Sequence, residues 1–330
     1  MQGSTQTAVQ LSLLLDNLAR SNGSQAWRRV HRKRSNPPWL VTEERRALFS
    51  SSLEQAEQQI LAASVTPIQT RPLNAFYGLS QAGRAVAAAY VAGDDYQLFG
   101  HGISGPSGVG CISDEADAFP RAVVATDSKK RSGSFVRLSA ALNSAVFPNG
   151  VDLGTLWQMV VEAQLHEQVE PPRWPVLLSS SPNDSDEVSA SASGSVTLTE
   201  DTIAGFLDHY PELVGAAPVP GRVAGSSFQV KLARSPDGSL PGTNYRRSRV
   251  FMPEVPETGQ TMHPLMVWWA ILFALSKLAR YSPVEWDYLT DVDRSPHAVP
   301  IAFLLDAALD AVPDLLAETL DEAPAGVVRS

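Results

Sequence analysis

The chain of 330 residues has one cysteine, Cys111. One thiol closes no internal disulfide and supplies no Cys-x-x-Cys knuckle, which suits a reducing compartment, and a cytoplasmic location is expected. Long apolar runs are also missing. The longest, Leu265 to Leu275, has 11 residues, whereas a membrane span needs roughly 20. It reads as a buried core helix, and no membrane partner is expected. The polar start, Met1 to Thr7, lacks the basic-then-apolar pattern of a secretion signal. There is no His-x-x-x-His, no cysteine pair and no Asp-x-Asp loop with the Glu that a calcium loop carries at its twelfth position, so no metal and no cofactor are expected. The glycine loop from Gly102 to Gly110 lacks the Lys-Ser/Thr of a phosphate-binding loop. A net charge of -9 argues against a general nucleic-acid coat and leaves room for one local basic patch.

What is present is core-forming material. Hydrophobic residues make up 44% of the chain, enough for a sizeable interior, and the length is comfortable for two lobes. Leu11, Leu14, Leu15 and Leu18 share one helical face. A helix from about Glu43 to Ala63 carries Leu48, Phe49, Leu53, Ala56 and Ile60 at the 3.6 period. A further helix runs from Arg71 to Tyr90, with Pro72 in its first turn. Its Phe76, Leu79, Val86 and Tyr90 form a stripe, and Gly78, Ala82, Gly83 and Ala85 let a neighbouring helix come close.

Farther along, Ala122 to Thr126 and Ser134 to Leu138 read as strands, and Leu153 to Gln168 as a helix. Residues 179–195, rich in Ser and Asp, read as a flexible loop. Thr199 to His209 reads as a capped helix. Phe228 to Leu232 and Ser248 to Met252 are expected to pair as strands across a turn-rich stretch. His263 to Tyr281 is a strongly apolar helix, and Pro300 to Leu320 a helix pair broken near Pro313. The fold expected is mainly α with a small β element. It has an N-terminal helical lobe (1–112), a mixed middle region (113–258) containing the 179–195 loop, and a C-terminal helical lobe (259–330) packed on the first. The helices at Phe76–Tyr90 and Leu265–Leu278 are expected to share one core.

Several residues carry chemistry. Gly78-Leu79-Ser80-Gln81-Ala82 is close to the Gly-x-Ser-x-Gly nucleophile elbow, which requires a strand before the serine; the periodicity here gives helix on both sides, so a serine hydrolase through Ser80 ranks third among the readings. His101, between Gly100 and Gly102, is a candidate general base, with Arg84 and Arg280 as candidate partners. Arg280, Tyr281 and Trp286 form either a cation-π and anion-binding cluster or a helix C-terminal cap. Arg28, Arg29, Arg32, Lys33 and Arg34, with His31 between them and Trp27 and Trp39 beside them, offer phosphate contacts with aromatic stacking, or else a solvated helix face.

Three stretches carry a family resemblance: Arg71 to Ala82, with Asn74 and Tyr77; Leu98 to Ser104, with His101; and Leu275 to Trp286. Their order and separation resemble the bacterial YaaC-like family over roughly residues 40 to 320. The helix bearing Phe76-Tyr77-Gly78-Leu79 is similar, more distantly, to the core helix of HEPN-type helical domains, which implies a HEPN-like helical core. No histidine has an arginine five to seven residues before it, so the HEPN nuclease motif is absent.

Two function classes follow. The first is a non-catalytic or partner-dependent binding protein, linked to nucleic-acid or phage-defence biology, whose partners are nucleic acid, another protein or a second copy of the chain. The second is an enzyme that acts on a phosphate-containing substrate, a nucleotide or RNA, through His101 with Arg84 or Arg280.

Overall fold

The structure is a computed structural model, and it describes residues 23–35, 37, 42–106, 118–127, 133–165, 174–179, 187–192, 197–232 and 241–323. Leu11 to Leu18, Trp39, Cys111 and Ser107 to Gly110, singled out in the sequence, lie outside the described residues. The described residues divide into two compact units: those within 23–157 together with 263–323, and those within 158–262.

The first unit is helical. Its helices are α1 (Gly23–Ser35), α2 (Glu43–Val65), α3 (Arg71–Tyr90), α4 (Ser134–Ala141), α5 (Leu153–Gln158), α7 (Pro264–Tyr281), α8 (Pro283–Thr290) and α9 (Ala298–Asp321), with α6 in the other unit. The Thr42 side chain accepts from the Arg45 N–H at the start of α2, and Glu43 and Glu44 stand in its first turn, where the helix dipole favours carboxylates. Phe49, Leu53, Ala56 and Ile60 are buried as the periodicity requires.

Helix α3 is the centre of this core, because its small residues admit its neighbours. A Cβ on Gly78 would stand 2.9 Å from Ile60 Cγ1, and one on Gly83 only 2.2 Å from Trp269 Cζ3. Phe76 is fully buried and meets Trp269 and Phe273 of α7 edge-on, with centroids 6.1 and 5.4 Å apart. The expected shared core of α3 and α7 is therefore present. A small antiparallel sheet pairs β1 (Ile103–Ser104) with β2 (Val123–Thr126), and β2 with β3 (Val151–Asp152).

The second unit overturns the expected fold class. It holds a six-stranded sheet in the order β6-β7-β5-β4-β9-β8. The strands are β4 (Val176–Ser179), β5 (Glu187–Ser191), β6 (Ala217–Ala224), β7 (Ser227–Lys231), β8 (Thr243–Tyr245) and β9 (Ser248–Phe251), and neighbouring strands are antiparallel. Val176, Leu178, Val188, Ala190, Phe228, Val230 and Phe251 build a core of their own with Ile203 and Leu207 of α6 (Ile203–Leu207). The protein is thus an α+β mixture with a substantial sheet, and the expectation of a mainly helical chain with a HEPN-like core and a small β element is corrected.

The physical reason is local. Short strands alternate apolar and polar side chains, so in Val188-Ser189-Ala190-Ser191 of β5 Val188 and Ala190 face the core while the serines between and after them are half-buried. That composition reads as a loop, and the 179–195 stretch hid the strand β5 at Glu187–Ser191.

Other elements differ as well. Ser134 to Leu138, expected as a strand, lies in α4. The strands at 228–232 and 248–252 do not pair with each other: β7 lies between β6 and β5, and β9 between β4 and β8. The expected break at Pro313 is absent, and α9 runs through it. Every residue from Ala311 to Leu320 is buried, so packing on all sides offsets the roughly 3 kcal/mol that an internal proline costs.

Candidate functional site

The basic run of α1 is mostly used up inside the fold. Arg29 and Lys33, one turn apart, both hold Asp321 at the end of α9 at 2.7 Å. Arg34 reaches Glu54 at 2.6 Å and His31 reaches Glu57 at 2.7 Å, both on α2. Burial acts to raise the Asp321 pKa, but the hydrogen bonds and charges of Lys33 and Arg29 outweigh it and hold the group below its ordinary value. On the apolar side Ala26, Trp27 and Val30 are buried. Arg28 and Arg32 remain exposed on the face between.

A different corner brings together residues far apart in sequence. The segment from Gly100 to Pro106 is anchored at its backbone. Gly102 and Gly133 meet so closely that a Cβ on either would stand 2.7 or 2.1 Å from the other's Cα, and Gly102 has φ +69°, so glycine is required twice over. The Ser134, Phe135 and Asp127 N–H groups donate to the Gly100, His101 and Gly102 carbonyls at 3.2, 2.9 and 3.1 Å. Lys277 of α7 donates to the Gly105 carbonyl at 2.6 Å.

That anchoring sets the His101 ring against Phe76 and Phe273, with centroids 5.7 and 5.4 Å away, while the residue stays exposed. Burial, and then the positive charge of Arg280, push the imidazole pKa below its ordinary value. The ring is therefore held neutral at pH 7, and a neutral imidazole beside a cation is able to accept a proton or a hydrogen bond.

Arg280 occupies the last turn of α7. It donates from Nε to the Ser276 carbonyl at 3.3 Å and from Nη1 to the Tyr77 hydroxyl at 3.2 Å. Its guanidinium lies 5.1 Å from the Tyr281 ring centroid and 5.9 Å from that of Tyr77. Among the described residues no carboxylate pairs with it. Tyr77 is 42% exposed and Tyr281 64%, so both residues are open to solvent.

Tyr77, His101, Arg280 and Tyr281 thus form one cluster, and the remaining sequence candidates lie elsewhere. Asn74 donates to Thr66 Oγ1 at 3.0 Å and Trp286 to the Gln69 carbonyl at 3.0 Å; both fasten the connection between α2 and α3. Ser80 lies inside α3 with helix on both sides, so the strand that a nucleophile elbow requires is missing. Arg84, two turns beyond Tyr77, donates to Gln81 Oε1 at 3.3 Å. It lines an open groove of about 420 Å³ with Glu44, Leu48, Tyr96, Gln97, Leu98 and Phe99.

Sequence reasoning missed a second constellation, in the other unit. The buried Glu162 carboxylate accepts from the Tyr245 hydroxyl and, at 3.0 Å, from Arg246 Nη1. Burial raises its pKa, against the lowering effect of Arg246 and of the Tyr245 hydrogen bond. Arg246 and Arg247 form the two-residue turn between β8 and β9 with φ +47° and +69°, a conformation that hairpins usually give to Asn-Gly. The ion pair holds this turn in place. Its groups are closed to water, and the only signal in the sequence is a pair of arginines.

Among the described residues no group of His, Cys, Asp and Glu is arranged to hold a metal ion, and no helix is long and apolar enough to cross a membrane. No curated protein and no solved structure matches the chain. One family model does, the one described as YaaC-like Protein, over residues 7–320. That match covers nearly the whole chain and takes in all three stretches that carry the cluster. This chain belongs to the YaaC-like protein family.

Proposed function

We propose that this protein binds a phosphate-bearing ligand with exposed bases, a stretch of single-stranded nucleic acid, on the surface formed by Tyr77, His101, Arg280 and Tyr281. One observation carries the reading: a guanidinium with no carboxylate partner among the described residues lies over two half-open tyrosine rings. Single-strand binding combines cations that follow the phosphates with aromatic faces on which bases stack, at about 1–3 kcal/mol per base. The cluster supplies both within one anchored surface. Lys277, on the same helix as Arg280, anchors the adjoining segment.

The basic run supports the reading less well, because Arg29, Lys33 and Arg34 already neutralise carboxylates. A specific observation favours a second role for His101. Its depressed pKa leaves the imidazole neutral beside a cation, the state in which it would take a proton from a water attacking a phosphodiester held by Arg280, while the P–O bond to one sugar oxygen breaks and solvent protonates that oxygen.

The test is fluorescence anisotropy with a labelled thymidine dodecamer at low salt. Arg280→Ala is expected to weaken binding about ten-fold, the loss of one or two charge-assisted hydrogen bonds. Arg28→Ala with Arg32→Ala is expected to leave it within two-fold. Equal binding by the wild type and Arg280→Ala would remove the reading. Loss of strand cleavage in His101→Ala with binding retained would add the second role, and an intact strand after prolonged incubation with the wild type would eliminate it.

A further inference from the structure

The groove beside Arg84 has a composition that the corner does not explain. Phe99 is 67% exposed at its rim, an unusual position for a phenylalanine. Glu44 and Arg84 line the same space, with the Gln97 amide between acid and base in chemical character. Neither Glu44 nor Arg84 forms an ion pair among the described residues. An open aromatic face, a carboxylate with no ion pair among the described residues, and a guanidinium that spends only Nη1 on Gln81 and keeps its other N–H groups for a ligand, all around one cavity, are what a planar heterocycle with both donor and acceptor edges requires.

The charges distinguish the bases. Guanine offers O6 and N7 as paired acceptors, the edge that arginine reads with two hydrogen bonds. It also carries N1–H and N2–H donors on its pairing edge, which a carboxylate accepts. Adenine presents a donor where guanine has O6 and an acceptor at N1, so it faces Arg84 with a donor and Glu44 with a lone pair. Thymine lacks the N7 acceptor. We infer that the groove lined by Glu44, Arg84 and Phe99 is a guanine-accepting subsite.

This inference rests on the single-strand reading and extends it along α3. Tyr77 and Arg84 are seven residues apart on one helical face, about 10 Å along the axis at 1.5 Å per residue. Phosphates in a stacked strand recur about every 3.4 Å. A strand whose phosphate meets Arg280 therefore places a base in the groove about three nucleotides away. The segment from Phe99 to His101 joins the two places directly, since Phe99 lines the groove and His101 lines the corner.

The experiment compares three labelled single strands: a thymidine dodecamer, the same strand with one central guanine, and the same with one central adenine. The guanine strand is expected to bind about ten-fold tighter than the adenine strand. Glu44→Gln and Phe99→Ala, both at exposed positions that leave the core intact, are expected to bring guanine and adenine to equal affinity while the Arg280-dependent binding of plain thymidine remains. Equal affinity of the wild type for the guanine and adenine strands would overturn the inference and leave the corner standing. Binding of the guanine strand alone, sensitive to Glu44 and Phe99 but not to Arg280, would keep the groove and remove the corner. Binding of none of the three strands would overturn both.

Discussion

Two sets of cations in the helical unit look alike in sequence and differ in what they face. The α1 run is dense and conspicuous, yet Arg29 and Lys33 share Asp321, and Arg34 is held by Glu54. Arg280 stands with one aromatic neighbour in sequence and reaches a second, Tyr77, only through the fold. The dense run fastens α1 to α9 and α2; the sparse corner keeps its charge available. Charge density in a sequence therefore says little about charge availability. What decides is whether carboxylates lie within reach in space.

The largest effect expected is at the foundation of the corner. Gly83→Val would place side-chain atoms on the Trp269 ring, where a single Cβ already has 2.2 Å. Overpacking of that kind costs about 3 kcal/mol or more, and urea denaturation is expected to show it. The α1 latch would keep its carboxylates, so dodecamer binding that survives this variant would separate the binding surface from the α3–α7 core.

Acid is expected to act next, and unequally. His263 accepts from the Leu265 N–H at 3.2 Å and so caps the start of α7, the helix that ends in Arg280. Desolvation on partial burial lowers its pKa from 6.5 to about 4. The unfolded state therefore binds a proton near pH 6.5 that the folded state refuses until about pH 4. This contribution is fully present above pH 6.5 and is lost as pH falls toward 4, about 3 kcal/mol in all. Asp321, held below its ordinary pKa, stays ionised over that window. His263→Asn keeps a capping acceptor and removes the titration. Its stability is expected to be flatter between pH 6.5 and 4 by up to one proton, and a curve parallel to the wild type would contradict the assignment.

The latch itself is expected to matter least. Asp321→Asn removes the acceptor of two partly exposed ion pairs, worth about 1 kcal/mol after solvent screening. Its thermal midpoint should fall slightly, and less at high salt, with dodecamer affinity unchanged. A loss of affinity comparable to that of Arg280→Ala would place the ligand on α1 instead.

The helices were legible because each long element repeats apolar residues at the helical period over many turns. Phe49, Leu53, Ala56 and Ile60 on α2, and the small face of α3, appear where the pattern puts them. The sheet was not, because most of its strands are short and set among serines and prolines, and the two pairings that join its hairpins into one sheet, β5 with β7 and β4 with β9, link segments that are not neighbours in sequence. The residues of the corner were also readable one by one: Tyr77, His101, Arg280 and Tyr281 all lie in the stretches that carry the family resemblance, and the fold brings them together. Arg84 lies on the same helix as Tyr77 but two turns along it, and it lines the groove with Phe99 and Glu44. Nothing in the local pattern marks Phe99 as exposed, since an aromatic next to glycine reads equally well as core. The Arg246–Arg247 turn was invisible because its strain is offset by Glu162, more than eighty residues away.

The most direct test of the central claim is the salt dependence of dodecamer affinity. Each phosphate neutralised on a single strand contributes about -0.7 to the slope of log K against log salt. With Arg280→Ala the slope is expected to become shallower by about that amount, and with Arg28→Ala and Arg32→Ala together it is expected to match the wild type. The reverse pattern, an unchanged slope in Arg280→Ala and a shallower one in the α1 variant, would contradict the account.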